Sequence, residues 1–105
     1  MKEDILERLK KISERIKREY KAEKVILFGS YARGEEKEHS DVDLLVIAPS
    51  NERIFERMAN VLEIVHELYD NLPISPIVLT PDEVEERIKV GDQFIKEILE
   101  KGIEL

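Results

Sequence analysis

Asp41 and Asp43 stand two residues apart in Ser40-Asp41-Val42-Asp43-Leu44-Leu45-Val46, where a polar loop meets an apolar run. On an extended strand, alternate residues share a face, so both carboxylates point the same way. Like charges held side by side against an apolar strand repel each other and cost stability. A divalent cation removes that cost. An oxygen-only ligand set suits Mg²⁺ or Mn²⁺, with water and substrate phosphate completing the octahedron. The plain alternative for an Asp-x-Asp is a solvated acidic loop end with Ser40-Asp41 in a turn.

Upstream lies Phe28-Gly29-Ser30-Tyr31-Ala32-Arg33-Gly34. An apolar stretch runs into Gly-Ser and then a helix start. Gly29 lacks a Cβ, so the chain can turn sharply and a ligand can approach the backbone. The first amides of a helix have no internal partner and carry partial positive charge. Together they form a phosphate cradle, to which the Ser30 hydroxyl adds a donor. An ordinary strand-to-helix turn is the alternative. Ten residues lie between Ser30 and Asp41, giving Gly-Ser-x10-Asp-x-Asp. If the two flanking strands are neighbours, cradle and carboxylates meet at one end of a sheet.

The elements that must position these groups are legible as periodicities. Ile5, Leu9, Ile12, Ile16 and Tyr20 recur every three or four residues, so residues 3–20 read as an amphipathic helix. Val25 to Phe28 reads as a buried strand stopped by Gly29. Ser30 to Gly34 is a turn into a short helix, and residues 35–40 form a polar loop. A second buried strand runs from Val42 to Ala48. Ser50 or Asn51 caps the next helix, whose apolar positions are Ile54, Phe55, Met58, Val61, Leu62, Val65, Leu68 and Tyr69. The Phe55/Met58/Leu62/Val65/Tyr69 series reads as core, and Asn71-Leu72-Pro73 stops the helix. Ile74 to Leu79 is a third strand, placed at an edge by Pro76. Thr80-Pro81-Asp82-Glu83 is a helix start with a capping box. Gly91-Asp92 separates that helix from a last one, Gln93 to Lys101, which Gly102 closes. Ile103 to Leu105 adds a short extended piece. The fold class is α/β (α+β): a small mixed sheet with helices packed against it.

At 105 residues the chain suggests a single domain, 1–105. With no Cys, disulfides, thiolate metal sites and Cys nucleophiles are excluded, and two His are too few for a His-rich cage. A net charge of −7 argues against direct nucleic-acid binding, which relies on cationic side chains. The apolar runs are too short to span a bilayer, and the start MKEDILERLK lacks an apolar signal core. The expectation is a cytoplasmic protein without membrane contact.

The run Gly29 to Val46 closely resembles the signature of the DNA polymerase β-like nucleotidyltransferase superfamily. In length the chain is similar to its minimal nucleotidyltransferases, the MNT proteins. The resemblance implies transfer of a nucleoside monophosphate, AMP from ATP, to an acceptor hydroxyl. It implies that Gly29 and Ser30 hold the triphosphate and that Asp41 and Asp43 bind two Mg²⁺ ions, with Mn²⁺ as a substitute. Arg33 then offsets phosphate charge or buttresses the loop through an ion pair; a plain surface arginine is the alternative. MNT proteins are commonly paired with HEPN proteins in toxin–antitoxin modules, as antitoxins that attach AMP to a HEPN tyrosine or bind the toxin. The implied partners are thus ATP and a HEPN protein, with association of identical copies left open.

The chain departs from the family at one place. A later strand usually supplies a third carboxylate. Aligning through Ile77-Val78-Leu79-Thr80-Pro81 puts that position near Ser75, and serine is neither a strong metal ligand nor a base. Asp70, five residues earlier, is not assigned the role. Slow transfer, or nucleotide and partner binding with no turnover, is therefore the second expectation. Bland roles are expected elsewhere: His39 as an exposed loop residue, His66 as a partly exposed helix residue, and Glu83-Val84-Glu85-Glu86 as a solvated helix face. Tyr31 either lines the nucleotide pocket or covers the helix start.

Overall fold

The two apolar runs pair with each other. In a computed structural model that describes residues 1–69 and 71–105, β1 (Lys24–Phe28) lies antiparallel to β2 (Val42–Ile47), with Phe28 opposite Asp43. β3 (Ile74–Leu79) joins β2 in parallel, Ser75 beside Asp43. β4 (Ile103–Glu104) pairs antiparallel with β1 on its other side. The order β3-β2-β1-β4 makes the sheet mixed, as expected, and puts β3 at an edge. There Pro76, which has no N–H to donate, is tolerated.

Alternation along the strands divides the apolar side chains between two helical layers. Val25, Leu27, Val42, Leu44 and Val46 pack with Leu9, Ile12 and Ile16 of α1 (Glu3–Glu19). Val61 and Val65 of α3 (Ile54–Val65) complete that cluster. Ile26, Leu45, Ile47 and Leu79 point the other way, onto Val84 of α4 (Pro81–Lys89) and Ile95 and Ile98 of α5 (Gln93–Lys101). Each fully buried Leu or Ile contributes roughly 1.5–3 kcal/mol. Both strands buried on both faces explains why they read as continuous apolar runs. No helix among the described residues is long and apolar enough to cross a membrane.

The last two helices start as their sequences require. Thr80 Oγ1 accepts from the Glu83 amide (3.2 Å) while Glu83 Oε1 accepts from the Thr80 amide (2.8 Å). Asp92 Oδ1 accepts from the Ile95 amide (3.1 Å).

The third helix departs from expectation at both ends and along its face. Neither Ser50 nor Asn51 caps it. Arg53 holds the N-cap position without a side-chain bond, and Ser50 Oγ instead accepts from the Glu52 amide (3.0 Å). The helix stops at Val65 and tightens into a 3₁₀ turn, His66–Leu68, well before Asn71. Val65 is buried and Leu62 and Tyr69 pack against the core, but Phe55 is 62 % and Met58 40 % exposed. Arg57 is buried in their stead. Its guanidinium donates to Glu83 Oε1 (2.6 Å) and Oε2 (3.1 Å) and to the carbonyls of Glu52 (2.8 Å) and Val78 (3.2 Å). Glu83 therefore leaves the expected solvated acidic face, while Glu85 and Glu86 stay exposed. Asp70 lies outside the described residues.

Candidate active site

β1 delivers Phe28 to the end of the sheet, and the chain then turns at Gly29 with φ +75° and ψ −154°. Two facts demand glycine there. The backbone is in a region that other residues avoid, and a Cβ at Gly29 would lie 2.3 Å from Asp43 Oδ2. The turn thus sits directly on the Asp43 carboxylate. α2 (Ser30–Arg33) follows and ends at Gly34, which is left-handed at φ +71°. Its first bond runs from the Arg33 amide to the Gly29 carbonyl (3.2 Å). The amides of Ser30, Tyr31 and Ala32 precede that bond, so the helix itself gives them no acceptor.

The acidic side is held from two directions. Ser40 Oγ accepts from the Lys37 amide (2.7 Å) and the Ser40 amide donates to the Lys37 carbonyl (3.0 Å), which shapes the loop before Asp41. The Val42 amide donates to the Pro73 carbonyl (2.8 Å), pinning the start of β2 to β3. Asp41 is exposed and Asp43 half-buried. Burial, and then the charge of Asp41, push the Asp43 carboxyl above its ordinary pKa, and only Arg33 pulls it down. Arg33 itself is 60 % exposed and lies 3.5 Å from Glu35 Oε2, so it makes the ion pair and faces the site as well.

These residues suit a divalent cation. Two carboxylates repel each other beside an apolar strand, and none of the described residues stabilises the charge of Asp43 by a hydrogen bond. They also abut a glycine cradle that a Cβ would fill. Asp41 and Asp43 are the candidate ligands, with the other oxygens coming from water and phosphate. No cluster of three or more His, Asp or Glu ligands occurs among the described residues, and Ser75 stands beside Asp43 where a third carboxylate was sought. His39 and His66 are exposed. Tyr31 is buried in the cluster under α1 and α3, so it does not line the cleft.

The cleft itself extends beyond the sequence-predicted residues. It encloses about 300 Å³ between Phe28, Gly29, Arg33 and Asp43 on one side and Phe94, Glu97 and Lys101 of α5 on the other. Gly102 brings α5 there: a Cβ on it would meet Ile26 Cγ2 at 2.4 Å and the Ile98 carbonyl at 2.5 Å. The signal in the sequence was Phe94, an aromatic residue off the Ile95/Ile98 stripe that packs on the sheet.

A family described as "Nucleotidyltransferase domain" matches residues 9–105. The chain belongs to that family. This nucleotidyltransferase is 29% identical over 100 residues to "Putative protein adenylyltransferase MJ1379" of Methanocaldococcus jannaschii, covering 95% of this chain and 92% of the relative. It is 34% identical over 87 residues to "Putative protein adenylyltransferase MJ0141" of the same organism, covering 81% and 80%. A third relative there, "Putative protein adenylyltransferase MJ1215", is 49% identical over 43 residues, 41% of this chain and half of its own length. No solved structure matches the nucleotidyltransferase significantly.

Proposed function

We propose that this nucleotidyltransferase moves the AMP part of ATP onto a hydroxyl of a protein partner. The observation that carries this is the contact between the Gly29 turn and the Asp43 carboxylate, which joins a phosphate cradle to an acidic pair. The names of the relatives, protein adenylyltransferases, support AMP and a protein acceptor. In this reading the α2 amides and the Ser30 hydroxyl bind the triphosphate next to Gly29, and Arg33 offsets phosphate charge at the rim. Asp41 and Asp43 hold two Mg²⁺, or Mn²⁺ in their place. Bound cations supply charge neutralisation at the α-phosphate and the acceptor oxygen. The acceptor oxygen bonds to the α-phosphorus, the bond to the bridging oxygen breaks, pyrophosphate leaves and the hydroxyl proton passes to solvent. What the residues contribute is positioning and electrostatics.

The resemblance to MNT proteins supplies a partner: a HEPN ribonuclease whose tyrosine takes the AMP, with this chain as its antitoxin in the cytoplasm. The test is incubation with labelled ATP, Mg²⁺ and a HEPN partner. Label moves to a partner tyrosine with the wild type and not with Asp41→Ala/Asp43→Ala. No transfer by the wild type, or equal transfer by the variant, overturns the proposal.

Ser75 beside Asp43 favours a second reading, an antitoxin that binds nucleotide and partner and acts by occlusion. It expects the double alanine variant still to silence the partner. A gain of transfer in Ser75→Asp would mark a weakened enzyme and count against pure occlusion.

A further inference from the structure

Phe94 stands apart from the other exposed apolar side chains by its position. Its ring is 54 % exposed, although it sits on a helix whose neighbouring residues Ile95 and Ile98 are buried. Of the large apolar side chains that the described residues leave exposed, it is the one that lines the cleft. Phe28 meets it edge-to-face, with ring centroids 5.6 Å apart and planes at 82°. That geometry is a favourable aromatic contact and restrains the Phe94 ring. The helix beneath it is fixed too. Gly102 lets α5 touch β1 more closely than any side chain would allow, and β4 then pairs with β1 directly after it.

We propose that Phe94, backed by Phe28, is the stacking platform for the nucleobase of the bound nucleotide. The inference rests on the reading that this cleft takes a nucleoside triphosphate, and adds where the base goes. The same cleft is walled by Gly29, Arg33 and Asp43, so a nucleotide with its phosphates on those groups has an apolar, aromatic surface within the same enclosure. The volume, about 300 Å³, is at the small end of ligand sites, enough for a planar ring system and its sugar. A base on an aromatic ring gains stacking whichever base it is, so the platform confers affinity and little selectivity. This matches a wall on which Glu97 and Lys101 are solvated and paired with each other at 3.5 Å.

Calorimetry in Mg²⁺ tests this with two probes, ATP and inorganic tripolyphosphate, on the wild type, Phe94→Ala and Phe94→Tyr. Because Phe94 is mostly exposed, both variants retain the core. Loss of one stacking surface weakens ATP binding about 10- to 100-fold, leaves tripolyphosphate binding unchanged, and is largely restored by tyrosine. Unchanged ATP affinity in Phe94→Ala overturns the inference, as does an equal loss for tripolyphosphate. Unchanged ATP affinity with a raised KM for the protein acceptor overturns it in favour of an acceptor side chain on the ring. If the wild type binds tripolyphosphate as tightly as ATP, the inference falls alone. If it binds neither, the nucleotide reading falls with it.

Discussion

The two ends of the central sheet contain the same ingredients and use them in opposite ways. At the far end, Arg57 is buried against the strands and all three of its nitrogens find acceptors: Glu83, the Glu52 carbonyl and the Val78 carbonyl. Around it Tyr20 donates to Glu52 Oε1 (2.9 Å) and Asn60 to the other oxygen of Glu52. At the site end, Asp43 is half-buried beside Asp41, and among the described residues the exposed Arg33 alone opposes the charge of Asp43. The carboxyls report the contrast. Arg57 pulls Glu83 below its ordinary pKa, whereas burial and Asp41 push Asp43 above its own. A buried ion pair with its hydrogen bonds satisfied holds structure together. An acidic pair opposed among the described residues by one exposed arginine gains most from a charge brought from outside, and that is what a binding site requires.

The comparison is tested most severely by removing the acidic pair. Asp41→Ala/Asp43→Ala lowers nucleotidyl transfer by at least about 10²–10³-fold. The midpoint of thermal unfolding stays the same or rises, because the change removes repulsion and breaks no internal bond. A large drop in that midpoint would mean the aspartates are structural. Next comes Gly29→Ala. The added Cβ collides with Asp43 Oδ2 and the backbone is strained, so the carboxylate must move. A misplacement of that kind costs about 10²-fold in rate, read as kcat with the acceptor saturating, while folding persists by circular dichroism.

Arg57→Ala acts on the other end. It strips Glu83 and two carbonyls of a donor and destabilises the fold by about 2–4 kcal/mol in urea titration, with ATP affinity of the folded protein unchanged. A smaller effect comes from acid. The folded-state pKa of Glu83 is lowered by its bond to Arg57. Its stabilisation is therefore fully present above the unfolded value, about pH 4.3, and is lost as pH falls through the folded value. Stability measured down that range declines in the wild type, and the part due to Glu83 is absent in Arg57→Ala.

Where the sequence was a good guide, a local cause was at work. The capping box of α4 needs only Thr80 and Glu83 three residues apart, and the cap of α5 only Asp92. The sharp turn at Gly29 and the closeness of Asp41 to Asp43 were legible because turn chemistry and alternation along a strand are short-range rules. Pro76 placed β3 at an edge for the same reason. The third helix was misjudged because its neighbours decide its face. Phe55 and Met58 have the spacing of core residues but reach water, and Arg57 is buried because α4 and β3 bring acceptors to it. No period in the chain carries that information.

The amino-acid order alone singled out Gly29, Ser30, Asp41 and Asp43 as candidates for phosphate and metal, and set them beside two buried strands. Each of those properties depends on backbone freedom or side-chain type within a few residues. Only the tertiary structure decided that Phe28 pairs with Asp43, that Ser75 lies on its other side, and that α5 closes the cleft with Phe94. Those outcomes depend on strand register and on the fit of Gly102 against β1, contacts between segments far apart in the chain that exist only once it has folded.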